Sequence, residues 1–104
     1  MKKVVICNSL EEVRENIDRL DRQIVGLLAE RGGYVKQAAR FKKTTNDVKA
    51  PQRVEQVIAK VLALSAETGA IPTVTEAVYR AMISAFINAE MAEHAALVGS
   101  GDRA

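Results

Sequence analysis

Five charged side chains stand on or beside positions where the surrounding pattern calls for apolar residues: Arg14, Arg31, Lys42, Arg53 and Glu90. Arg31 falls on an apolar heptad seam. Lys42 follows 11 residues later, about three helical turns, and so shares a face with Arg31 if the helix continues that far. Arg53 lies in the first turn of a second helix, where a cation opposes the helix dipole. Glu90 extends the stripe Ile83, Phe86, Ile87 at helical spacing. Each has a plainer explanation. Arg31 can snorkel out of an interface with its stem buried, Arg53 can be a solvated surface residue, and Glu90 can be the polar end of its stripe. Arg14 precedes Arg31 by 17 residues, roughly 25 Å along a helix, too far for one small metabolite to bridge. In an antiparallel pairing of two long helices, however, the partner's Arg14 approaches Arg31. Three arginines and a lysine converging with one carboxyl form a pocket for a small dianion.

Other chemistries lack their residues. His94 is the single histidine and Cys7 the single cysteine, so neither a metal motif nor an internal disulfide is encoded. There is no Gly-rich phosphate loop and no nucleophile–base pair, so an enzyme built on this chain needs neither a cofactor nor a covalent intermediate. His94 reads as a surface residue whose placement suits a helix C-terminus.

The elements that must position these residues are helices. Ser9 and Glu12 form a capping box. Leu10, Val13, Ile17, Leu20, Ile24 and Leu27 then alternate steps of three and four, and the count continues through Arg31, Tyr34, Ala38 and Phe41. A first helix is predicted from about Leu10 to Lys42, weakest at Gly32-Gly33. Residues 42–49 are polar and read as a loop, and from Lys43 to Lys49 it is expected to be mobile without ligand and ordered by it. Pro51 opens a second helix with Val54, Val57, Ile58, Val61 and Leu62 on its apolar face, and Gly69 sits past its end. Pro72 and Thr73 open a third, with Thr73 and Glu76 as a second capping box. Its face is Val74, Val78, Met82, Ile83, Phe86 and Ile87, fading near Leu97. The expected architecture is all-α: three helices in a single domain over residues 1–104, with a core at 9–97 and a disordered tail at 98–104.

A first helix of roughly 33 residues is about 50 Å long. A 100-residue domain has a radius of gyration near 13 Å, so one copy of the other two helices cannot cover such a rod. The seam predicts a homodimer. The net charge of +2 is spread along the chain and argues against nucleic acid as a partner. The run Val4-Val5-Ile6-Cys7 is shorter than the roughly 7–15 apolar residues of a secretory leader. No stretch approaches the roughly 20 apolar residues of a membrane span. No membrane partner is expected, and the expected compartment is the cytoplasm.

Four stretches carry a resemblance: Val13-Arg14-Glu15-Asn16-Ile17-Asp18-Arg19-Leu20-Asp21, Leu27-Leu28-Ala29-Glu30-Arg31, Ala39-Arg40-Phe41-Lys42, and Pro51-Gln52-Arg53-Val54. In this order and spacing the chain resembles the all-helical chorismate mutases, from about Ser9 to His94. Tyr34-Val35-Lys36-Gln37-Ala38-Ala39-Arg40-Phe41-Lys42 is most similar to the isochorismate-pyruvate lyase branch, which forms salicylate and pyruvate from isochorismate. The resemblance implies an intertwined dimer with two equivalent sites. Arg31 and the partner's Arg14 would bind the two substrate carboxylates, Lys42 would donate to the ether oxygen of the breaking bond, and Arg53 would complete the carboxylate and ring contacts. Val35, Val57, Ile83 and Ile87 would form apolar walls. Glu90 stands where many members carry glutamine and some glutamate. Val54 replaces a glutamate found in many mutases, and Phe86 a serine; both changes also occur in the lyase branch. Glu90 points the other way, because the lyases carry glutamine there, and Gly32-Gly33 is unusual in either branch.

The implied reactions, chorismate to prephenate or the lyase cleavage, are pericyclic. Neither requires a nucleophile or a proton shuttle. Catalysis comes from holding the reactive conformer and stabilising charge on the ether oxygen. Lys42 does so as a cation, and Glu90 can donate only as the neutral acid. The mutase is the favoured activity and the lyase the alternative. A non-catalytic helical dimer or metabolite sensor is a third reading, but a pure dimerisation helix keeps its seam apolar through position 31.

Overall fold

The computed structural model describes residues 4–102, and the side chains through residue 96. Those residues are helical and contain no strand: α1 (Leu10–Ala39), α2 (Thr45–Lys49), α3 (Pro51–Thr68) and α4 (Pro72–Asp102). They fall into two compact units, one ending at Tyr34 and the other beginning at Val35.

In the first unit, α1 starts as its sequence dictates. Ser9 Oγ accepts from the Glu12 N–H at 3.1 Å, and the Glu12 carboxylate accepts from the Asn8 N–H at 2.9 Å, one residue upstream of the expected reciprocal partner. Glu11 and Glu12 place negative charge at the positive end of the dipole. The helix continues through Gly32-Gly33 without interruption. Among the described residues, those of the seam are between 39% (Val13) and 64% (Leu27) exposed.

In the second unit the first correction appears. The helix predicted to reach Lys42 ends at Ala39. The N–H groups of Arg40, Phe41 and Lys42 instead bond three residues back, to the carbonyls of Gln37, Ala38 and Ala39. This is a tightened final turn of 3₁₀ type. Lys42 is therefore not on a helical face shared with Arg31.

The second correction concerns the segment read as a loop. Residues Thr45–Lys49 form α2, and Thr44 and Asp47 make a capping box. The Thr44 hydroxyl accepts from the Asp47 N–H at 3.1 Å, while the Asp47 carboxylate accepts from the N–H groups of Lys43 and Thr44 at 3.0 and 3.1 Å. Val48 supplies the apolar anchor, 2% exposed. Ala50 then closes α2 in a left-handed conformation (φ 38°), its N–H on the Asn46 carbonyl.

The two N–H donors hold the Asp47 carboxyl below the usual carboxylate range. The native state therefore binds this proton less readily than the unfolded chain, and α2 gains stability that is complete at neutral pH and lost as pH falls through the acidic range. Helical chemical shifts at residues 45–49 should fade on acidification in the parent. In Asp47→Asn they should be weaker at neutral pH and nearly pH-independent; parallel titrations of the two proteins would refute the cap.

Pro51 occupies the first turn of α3, Ile58 and Val61 are buried on it, and Gly69 closes it in the left-handed region (φ 78°) with its N–H on the Ser65 carbonyl. α4 begins at Pro72, so Thr73 lies inside the helix and the second capping box does not form. Glu76 accepts instead from Arg80 Nε at 2.8 Å, and Arg80 also binds both carboxylate oxygens of Glu55 on α3. α4 packs on α2 and α3. On its expected apolar face Ile83 is buried, Met82, Phe86 and Ile87 are half-buried, and Val74 and Val78 are exposed. The helix reaches Asp102, beyond the fading of that face near Leu97. Side chains beyond residue 96, and residues 1–3 and 103–104, lie outside the described residues, and with them much of the expected tail. No helix among the described residues is long and apolar enough to cross a membrane.

Candidate active site

Ile83, Ile87, Glu90 and His94 follow one another on α4 at steps of four, three and four, which places them on one helical face. That face is turned inward: Glu90 is 4% and His94 8% exposed. A carboxylate withdrawn from water needs a partner. Lys42 provides it across 48 residues of sequence, its Nζ donating to the two Glu90 oxygens at 2.5 and 2.8 Å. The lysine side chain keeps 27% of its exposure, so the pair has a dry end and a wet end. An ammonium has three N–H donors, and Glu90 engages two of them.

His94 was expected at the surface; the structure buries it. Its Nε2 lies 2.8 Å from the main-chain carbonyl oxygen of Lys42. A carbonyl only accepts, so Nε2 carries the hydrogen and donates. Asp47 on α2 senses His94 too, through a lowering of its carboxyl range smaller than that from its own capping bonds. The signal for His94 was present in the sequence as its four-residue step from Glu90.

The structure therefore brings together Lys42 and Glu90, with Ile83 (buried) and Ile87 (half-buried) on the same face as the carboxyl. Val35 and Val57 are half-buried in the same unit, on α1 and α3. Arg53 is exposed in the first turn of α3. Arg14, exposed, and Arg31, half-buried, belong to the part of α1 in the first unit. Lys42 lies beyond the end of α1 and is bonded by Glu90 through its ammonium and by His94 through its main-chain carbonyl.

Residues 13–91 match the family model "Chorismate mutase type II". The chain belongs to the chorismate mutase type II family. It is 34% identical over 87 residues to an isochorismate pyruvate lyase of Pseudomonas aeruginosa, covering 84% of this chain and 86% of that protein. It is also 33% identical over 94 residues to a bifunctional chorismate mutase/prephenate dehydratase of Aquifex aeolicus. There the match covers 86% of this chain but only 26% of the longer relative. As an enzyme of the chorismate mutase type II family, the chain carries Arg14, Arg31, Lys42, Arg53 and Glu90 all inside the matched span; His94 lies three residues beyond it.

Proposed function

We propose that this chorismate mutase type II chain converts chorismate to prephenate without a cofactor, working as a homodimer with sites shared between chains. The observation that carries the reading is the Lys42–Glu90 pair, a half-buried cation with one donor to spare beside a buried carboxyl on an apolar helix face. Lys42 stabilises the charge that develops on the ether oxygen. The partner's Arg14, together with Arg31 and Arg53, binds the two carboxylates of the dianion, and Val35, Val57, Ile83 and Ile87 hold the ring in the reactive conformer. Glu90 holds Lys42 in the ligand-free chain. Glu90 adds a donation to the same oxygen only as the neutral acid, because a carboxylate accepts and cannot donate.

A second reading is isochorismate pyruvate lyase. The near full-length similarity to a lyase supports it, as do Val54 and Phe86. Product analysis separates the two: prephenate from chorismate in one case, salicylate plus pyruvate from isochorismate in the other. Neither product from either substrate would overturn both.

The exposed seam of α1 supports the dimer, since a contiguous stripe of six large apolar residues is rarely left to water in a lone chain. Sedimentation should give the mass of two chains at all working concentrations. A folded species with the mass of one chain would end this part of the proposal.

A further inference from the structure

Lys42 sits in the 3₁₀ turn after α1, where no regular helix fixes its direction. A flexible lysine stem of four carbons samples many rotamers, so an ammonium that must meet one oxygen of a bound substrate needs to be held. Glu90 holds the charged end. The same face of α4, one helical turn further on, reaches the other end of the residue: His94 Nε2 donates to the Lys42 carbonyl at 2.8 Å. His94 is 8% exposed, and its ring is placed by α4, which packs on α2 and α3. We infer that His94 is a positioning residue, which clamps the main chain of Lys42 to α4 so that Glu90 and the substrate meet an ammonium already in place.

The clamp explains why a buried histidine stands at this position. An apolar residue would fill the space equally well but would leave the Lys42 carbonyl, turned toward α4, without its donor. A polar side chain that only accepts could not bond a carbonyl at all. The imidazole reaches it because its Nε2 lies at the far end of the ring.

The inference rests on the reading of Lys42 as the donor to the ether oxygen, and its test separates the two. His94→Gln places an amide N–H near the position of Nε2, whereas His94→Met has a similar length and no donor. His94→Phe fills the ring's volume, should methionine unfold the chain. The expected result in the non-donating variant is a fall in kcat of about tenfold to a hundredfold, the scale of a displacement near 1 Å in an active site. KM should change much less, and amide hydrogen exchange at residues 42–44 should become faster. His94→Gln should recover most of the kcat and of the exchange protection. Parental kcat and exchange in His94→Met and His94→Phe would overturn the clamp, as would equal impairment of the glutamine and methionine variants, which would mean that only ring packing matters. Parental kcat in Lys42→Ala is the distinct result that would remove the underlying reading, and the positioning role with it.

Discussion

Lys42→Ala is expected to lower kcat by about two to three orders of magnitude while moving KM far less. The charge that this ammonium meets is largely absent from the bound ground state and develops as the ether bond breaks, so its loss falls on the chemical step. Removing one preorganised donor of this kind costs about 2.7–4 kcal/mol of transition-state stabilisation. The structure adds a complication: Lys42 is also the partner of a carboxyl that is 4% exposed. Breaking such a pair leaves an uncompensated charge and typically costs about 3–5 kcal/mol of stability. A melting curve must accompany the kinetics. The double variant Lys42→Ala/Glu90→Gln, which buries no charge, separates the two effects. If the mechanism is right, that double variant recovers stability and remains slow. Unchanged kcat in folded Lys42→Ala would remove this residue from the chemistry.

Glu90→Gln is expected to change the pH dependence of the reaction more than its rate at low pH. If Glu90 donates to the ether oxygen, only the protonated acid is productive, and kcat of the parent falls as rising pH removes that proton. The glutamine amide donates at every pH. Its carbonyl oxygen still accepts from Lys42, so the ammonium keeps one of its two contacts. The variant should keep activity at neutral and alkaline pH and lose most of the pH dependence, with a nearly flat profile. The competing role, a carboxylate that only holds Lys42, makes a different forecast: the two profiles have the same shape, and the variant is uniformly slower or unchanged. Measuring kcat for both proteins from about pH 5 to 9, on whichever substrate is turned over, decides between them. Superimposed profiles would leave Lys42 as the sole donor.

Much of this molecule is written in short-range pattern. The cap at Ser9 and Glu12, the seam from Leu10 to Leu27, the opening of α3 at Pro51 and its closure at Gly69 depend on residues within a turn or two of one another, and periodicity reports them directly. The seam itself, six apolar residues on one edge of a helix, is equally legible, and its exposure is what the proposed dimer would cover. The box at Thr44 and Asp47 is equally local, but a five-residue helix has no apolar period to mark it. What the sequence could not show is where a residue points once its helix has ended. Counting turns put Lys42 on the face of Arg31, but three i→i+3 bonds stop α1 at Ala39, and beyond them helical phase carries no information. The direction of Lys42 was decided by α4, whose Glu90 and His94 hold it from 48 and 52 residues away. Both are buried on α4, which packs on α2 and α3. A buried carboxylate must find a cation and a buried imidazole must find an acceptor, but which cation and which acceptor depends on how the intervening chain closes. That choice belongs to the tertiary structure.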